Sequence, residues 1–582
     1  MVVDTQSFQR TAKLNTRDFD YVIVGAGAAG CVLANRLSED GKKSVLLLEA
    51  GKGDDKLYIH IPLGFPYLCG SDVDWRYTSE PEDKLDGRRL YFPRGKVLGG
   101  SHAISVMLYH RGSARDYEVW EDEFGADGWG PKDVLPYFKK TEDQERGPST
   151  FHGVGGPLRV SDLRFVNPMA TSFLKACKKM GLKENKDFND WSVDQEGFGT
   201  FQVTQRDGSR ETPSTSYLRA AWGRKNVTVE TGVTVEKIEL EESDLGGDSP
   251  YVATGVTVIN KNGYREQIRA RHEVILAGGA FASPQLLMLS GIGPAEDLQS
   301  LGIPVKVDLD GVGQNLQDHA SALISYSSKD PMNDKKKNRV FYSEETGRSL
   351  RNLAEYFVLG GGPLTSNMCE AGGFFRTDPE YESPDLQLRF VPFYSEPDPY
   401  FSMGDFASAG NYLTNKANRP AGFTVQSVTA RPHSIGSVSL SSTDVRQAPA
   451  INANWLSDDR DLKTIVEGLK TIRKIVAMPE FENYRGDEAY PGGDKVSDED
   501  LAAYVKESCH TANALIGTCR MGRTSDPEAV VDTKLRVKGV SRLRVIDSSV
   551  IPKLPGGQAG APTMMIAEKG AEMLLDAYDR RS

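Results

Sequence analysis

"DYVIVGAGAAGCVLANRLSEDGKKSVLLLEAG", residues 20–51, decides the fold. Val22 to Val24 is a short β-branched run of the kind that forms a buried strand, and Ser44 to Leu48 is a second. Between them a glycine-rich turn, Gly25 to Gly30, leads into a helical stretch from Ala29 to Leu37. The segment therefore reads as a βαβ unit, which requires a parallel sheet. In the turn, Gly25 permits the sharp reversal, Gly27 lets backbone approach a pyrophosphate, and Gly30 lets the helix close on the strand. The helix N-terminus then offers unpaired N–H groups to phosphate oxygens. Glu49, 19 residues past Gly30, is placed to accept from ribose hydroxyls and disfavours a 2′-phosphate. A dinucleotide site is expected here.

The rest of the chain fits a large folded protein. Its 582 residues exceed one simple core, and with 39% hydrophobic and 26% charged residues it has the composition of an ordinary globular protein. A net charge of −11 without clustered Lys and Arg argues against a nucleic-acid partner. The one short basic run, "DKKKNR" (334–339), is either a local attraction to an anionic membrane surface, giving peripheral contact, or a solvated loop, and the loop reading is favoured. Six cysteines (Cys31, Cys69, Cys177, Cys369, Cys509, Cys519) lack C-x-x-C pairing and read as single thiols, with neither a disulfide framework nor a metal site expected. No apolar run approaches the roughly 18 residues of a membrane span, and "MVVDTQSFQRTAKLNTRD" lacks the apolar core of a secretory signal.

Further segments look as though they reach the same cofactor from far along the chain: "YFPRGKVLGGSHAISVMLYHRG" (91–112), "VILAGGAFASPQLLMLSGIGP" (274–294) and "LRVIDSSVIPKLPGGQAGAPTMMIAEKGAEMLL" (543–575). A discontinuous nucleotide domain follows, spanning 18–144, 226–314 and 501–582, with a substrate domain built from 145–225 and 315–500. Alternation in "GFTVQSVTARPHSIGSVSLSS" (422–442) reads as antiparallel strands with one face buried.

Taken in order, "GAGAAG" with Glu49, "PRGKVLGGS", "GAFASPQLLMLSGIG", "GTCRMG" and "VIDSSVIPK…APTMMIAEK" resemble the glucose–methanol–choline (GMC) family of flavin oxidoreductases, over nearly the whole chain. The resemblance implies an α/β fold, with a Rossmann-type FAD-binding domain and an α+β substrate domain holding an antiparallel sheet. It implies FAD, lying along Gly25, Gly27, Gly30, Glu49, Gly99, Gly100, Val233, Ala514 and Asp547. Alcohol-oxidising members carry a histidine three residues before the glycine of "GTC" and a His or Asn just before "APT". Ala514 and Gly560 stand in those places, and neither takes a proton. His510, four residues before Ala514, would share its face on a helix and is either a substitute base or a supporting hydrogen bonder.

The same departure resembles the fatty acid photodecarboxylase branch of algae, in which "HxxNA…GTC" surrounds the flavin, as His510, Asn513 and Ala514 do here. That branch also has a cysteine and an arginine about twenty apart; Cys369 and Arg389 match, and Gln426 resembles a further residue near the flavin. What the resemblance implies is blue-light-driven decarboxylation of a long-chain fatty acid, in a chloroplast. A carboxylic acid near neutral pH is already ionised, so a photochemical oxidant would need no base. Arg389 would clamp a carboxylate or carbon dioxide, or else form an inter-strand ion pair; Asn513 would orient the carboxylate or a water, or else satisfy backbone; Cys369 would donate to substrate or simply fill space; Gln426 would support the flavin or face water. The competing reading is a light-independent alcohol oxidase using His510. Two features depart from the branch: Ser101-His102 with Ser105 replaces "GGSSxxN", and "FVPFYSEPDPYFSMGDF" (390–406) lacks the "FVPG" run.

Overall fold

The computed structural model describes residues 17–243, 249–329, 340–397 and 420–579; the basic run at 334–339 and residues 398–406 lie outside the described residues. β1 (Arg17–Val24), α1 (Ala28–Leu37) and β2 (Val45–Glu49) form the expected unit, with β1 and β2 parallel and in register from Tyr21↔Val45 to Val24↔Leu48. Every residue of β2 is buried, and α1 is buried on nearly all sides, as its unbroken run of small and apolar residues requires. Gly30 admits no side chain: a Cβ there would lie 1.9 Å from the Gly25 carbonyl oxygen.

β1 lies inside an eight-stranded sheet. Val227–Thr231, β2, β1 and Arg265–Leu276 run parallel in that order, and Tyr251–Ile259 and Thr234–Glu242 continue antiparallel. Leu543–Val545 and Val540–Ser541 add short parallel strands from the far end of the chain. On the other side of α1 lies the C-terminal helix Gly560–Asp579, held by a bond network in which Arg36 and Tyr217 both donate to the fully buried Glu568.

The second sheet has seven antiparallel strands in the order Arg485–Tyr490, Ala320–Ser328, Gly422–Thr429, Leu386–Val391, Ala371–Phe375 and Gly197–Thr200, with His510–Thr511 beside Ala320 and Ser321. The strand His510–Thr511 thus joins this sheet rather than the parallel one. One expectation fails: Gly422–Thr429 is buried at every position but Gln426, on both faces. It is a central strand, and helix Asp459–Val476 lies so close that a Cβ on Gly468 would meet Ser427 Oγ at 2.0 Å. Side chains on both faces of a covered strand lose water, so polar residues such as Thr424 and Ser427 are kept by internal hydrogen bonds: Thr424 donates to the Phe393 carbonyl and Ser427 to the Ile465 carbonyl.

Candidate active site

A single cavity runs from the N-terminus of α1 to the second sheet. At one end it is walled by Gly25, Gly27, Glu49, Val233 and Asp547. Glu49 Oε2 accepts from the Ala26 N–H at 2.9 Å and Oε1 from the Gly51 N–H at 2.8 Å, which locks the carboxylate beside the glycine turn. Burial, partly offset by those bonds, pushes its pKa up to about 7. Asp547 is likewise raised by burial, and its Oδ2 accepts from the Gly279 N–H at the start of helix Gly279–Leu289. Gly100 (φ 57°) lies on the cavity wall with backbone against backbone, since a Cβ would stand 2.7 Å from Gly27 Cα. Gly99, also in a left-handed conformation, packs behind it against Thr212.

The opposite end holds Arg389, Asn513, Gly560 and His102 on the wall. Arg389 sits on Leu386–Val391, with Gly372 and Gln426 opposite it on the two neighbouring strands. It is nearly fully buried and directs Nε and Nη2 to Gln387 Oε1 at 2.9 and 2.8 Å, so the partner seen is an amide two residues away on its own strand. Asn513 has a left-handed backbone (φ 66°), and its Oδ1 accepts from Arg94 Nη2 at 2.8 Å. Ala514 does not line the cavity, although its neighbours Ala512, Asn513 and Leu515 do.

His510 and Ala514 do not share a helical face, contrary to the expected spacing. His510–Thr511 is captured as a strand at the sheet edge, and Asp318 then anchors the turn, accepting from Thr511 Oγ1 at 2.5 Å and the Ala514 N–H at 2.8 Å. Burial raises the Asp318 pKa to about 6. His510 is buried off the cavity wall; its Nδ1 is 3.2 Å from the Ser508 carbonyl and its Nε2 3.4 Å from Gln426 Nε2. These contacts agree with an Nδ1–H that donates to Ser508 and an Nε2 that accepts from the Gln426 amide. Cys369 also stands back from the wall, in an apolar cluster with Leu108, Phe188, Phe201 and Phe374, and burial pushes its thiol up to about 12. It is therefore a neutral thiol in hydrophobic surroundings; all six cysteines are free and buried.

Three histidines surround this end. His102 Nε2 is 2.9 Å from Thr204 Oγ1, and its ring occupies space beside residue 560, where a Cβ would meet Nδ1 at 3.3 Å. Burial, with Arg210, lowers its pKa to about 4. His110 and His319 are fully buried, and burial together with the Arg389 charge lowers each to about 3. Neither nitrogen of His110 has a hydrogen-bond partner within the protein. All three rings are neutral near pH 7. Arg94 and Asp318 were missed by sequence reasoning: Arg94 lies in the quoted "PRGK", while nothing in the local sequence marks Asp318.

The sequence matches the GMC oxidoreductase N-terminal family over residues 19–321 and the C-terminal family over 432–567. The chain belongs to the GMC oxidoreductase family. This GMC protein is 40% identical over 562 residues to the chloroplastic fatty acid photodecarboxylase of Chlamydomonas reinhardtii, covering 96% of this chain and 90% of that one. It is 39% identical over 573 residues to an alcohol dehydrogenase (acceptor) of Pseudomonas putida, covering 97% of each. Among solved structures, a variant formate oxidase of Aspergillus oryzae RIB40, studied for FAD modification, superposes with a TM-score of 0.84 at 29% identity, over 98% of this chain and all of that one. The cofactor of this GMC chain is FAD. The residues fit it: a helix N-terminus behind bare glycine backbone for the pyrophosphate, a fixed carboxylate for ribose, and a continuous cavity from there to Arg389.

Proposed function

We propose that this GMC flavoprotein is a fatty acid photodecarboxylase, converting a free long-chain fatty acid and a blue photon to a hydrocarbon and carbon dioxide. The observation that carries the reading is the wall opposite the nucleotide end: a buried guanidinium and an amide face the cavity, Gly560 offers no side chain there, and the one imidazole on that wall, His102, is held at a pKa of about 4 with Nε2 beside Thr204 Oγ1, which makes it a poor base. An alcohol must lose a proton before it yields hydride, and general-base help contributes about 10² to 10⁴-fold. A carboxylate needs no such help. FAD held along this cavity would supply, under blue light, the one-electron oxidation of the carboxylate and the return of that electron.

The chain's own residues do the rest. Arg389 offers its guanidinium to the carboxylate, with Gln387 fixing its orientation from behind. Asn513, held by Arg94, presents its amide at the same end. Loss of one electron leaves a carboxyl radical whose C–C bond breaks to carbon dioxide and an alkyl radical, and return of that same electron with one proton from solvent completes the alkane. The relative named photodecarboxylase supports this substrate class and a chloroplast location. The alcohol dehydrogenase relative supports the alternative, dark oxidation of alcohols with His510 as base. Against it stands His510 off the cavity wall, its Nε2 beside the Gln426 amide.

The test is incubation of the FAD-loaded protein with palmitate in darkness and under blue light, with pentadecane and carbon dioxide measured by gas chromatography. Light-dependent pentadecane is expected. Equal yields in light and dark, or flavin bleaching by alcohols in the dark, would overturn the proposal.

A further inference from the structure

Helix Leu350–Leu359 is amphipathic in an uncommon sense. One face, Asn352 and Tyr356 with the half-buried Leu353, packs inward, and Tyr356 Oη is 3.1 Å from Ser209 Oγ and donates to the His60 carbonyl at 3.3 Å. The outward face is apolar too: Leu350 is 85% exposed, Phe357 59%, Val358 77% and Leu359 73%. The adjoining turn Leu57–His60, tied to the helix through Tyr356, exposes Leu57 and Tyr58 as well. Soluble surfaces scatter such residues singly, and a cluster on one element marks a contact surface.

Size and charge select the occupant. A ten-residue helix is about 15 Å long and about 10 Å wide, so two copies meeting through this face would bury a few hundred Å², well below the roughly 1,200 Å² of a stable protein interface. A lipid surface has no such threshold, because each inserted side chain gains independently. The remaining exposed positions on the helix are Arg351 and Ala354, so the exposed charge among the described side chains of the helix is a cation, while Asp55 is exposed beside Leu57 on the adjoining turn. An exposed apolar helix face with Arg351 among its apolar side chains matches an anionic bilayer. The same apolar cluster that seats the helix, with Ile61, Leu63, Phe65, Leu364 and Met368, is continuous with the cavity, whose wall includes Phe65 and Val106.

We propose that helix Leu350–Leu359, with Leu57 and Tyr58, is a docking surface for anionic lipid bilayers, through which an acyl substrate passes from membrane to cavity. The substrate clause rests on the proposed function, whereas the docking clause stands on the surface alone. The experiment compares FAD-loaded wild type with the triple variant Phe357→Ser/Val358→Ser/Leu359→Ser in co-sedimentation with sucrose-filled phosphatidylglycerol–phosphatidylcholine vesicles and with phosphatidylcholine alone. Wild type should bind, more tightly to the anionic vesicles. The variant should bind at least about 100-fold more weakly, three half-inserted side chains giving about a factor of five each. Because only exposed side chains change, FAD content and thermal midpoint should match wild type; Leu350→Ser, a single milder change, should fall between. Absence of wild-type binding, equal binding by the triple variant, or a wild-type dimer that the variant converts to monomer by light scattering would overturn the docking surface. In a second arm, turnover of vesicle-dissolved palmitate should fall in the variant while that of freely dissolved octanoate stays equal. No turnover of either acid by wild type would refute the photodecarboxylase reading and leave the vesicle result standing.

Discussion

Replacing His110 by Phe should make the protein less acid-sensitive, and the size of the effect follows from where the ring sits. His110 is fully buried, edge-on to Phe201 (5.1 Å, 86°) and Phe374 (5.3 Å, 86°), and a phenyl ring keeps both contacts. Its two nitrogens are unpartnered within the protein, so their removal should leave stability at pH 8 unchanged or raise it by up to about 2 kcal/mol. The pH term adds to this. Unfolded, the imidazole takes a proton below its ordinary 6.5; folded, burial and Arg389 hold it neutral down to about 3. Between those values the unfolded state binds one proton more, so stability falls with falling pH by about 1.4 kcal/mol per unit. From pH 6.5 to 5 the wild type loses about 2 kcal/mol through this one group, and the variant loses none of it. Urea unfolding of both holoproteins at pH 8, 6.5 and 5 measures the gap, which should widen by about that amount. Unfolding free energies that run parallel across the three pH values would refute the buried neutral histidine. A variant several kcal/mol weaker at pH 8 would refute the claim that its nitrogens are unsatisfied.

Glu49→Gln leaves one acceptor oxygen where two backbone N–H groups and ribose hydroxyls converge, and FAD affinity should drop about 10- to 100-fold by flavin fluorescence titration. The wild-type affinity should weaken as pH falls through about 7, where the carboxylate takes a proton, and the variant's should stay flat. Gly30→Ala forces a methyl to within 1.9 Å of the Gly25 carbonyl, so the purified protein should come out colourless or not fold at all. Arg389→Lys removes the fork that Gln387 orients and should cut light-driven hydrocarbon output at least about tenfold with FAD content unchanged. Retained output would strip Arg389 of its assigned role.

The nucleotide end of the cavity was legible because its information is local. Strand, turn, helix and acid lie within thirty-odd residues, and Gly30 answers a clash with the Gly25 carbonyl that short-range geometry imposes. The other end was legible only by residue type. Arg389 and Asn513 both line the cavity, but the contacts that hold the loop there come from far away: Arg94 reaches Asn513 across 419 positions and Asp318 reaches Ala514 across 196. No periodicity carries such pairings. The misreading of His510 has the same origin, since four-residue spacing suggests a helix until a sheet edge competes for the backbone, and here Ala320 and Ser321 win. Alternation misled at Gly422–Thr429 because a covered strand can keep polar residues on a hidden face once partners such as the Ile465 carbonyl satisfy them.

The ion pair between Arg36 and Glu568 joins two residues 532 positions apart, at the helix that presents the phosphate-binding turn. A ribosome releases the first of these long before it has made the second. The nascent glycine turn must therefore wait, unsupported on one side, until helix Gly560–Asp579 has emerged, so flavin capture follows the making of that helix. Truncation anywhere ahead of helix Gly560–Asp579 should yield a chain that chaperones hold and proteases clear.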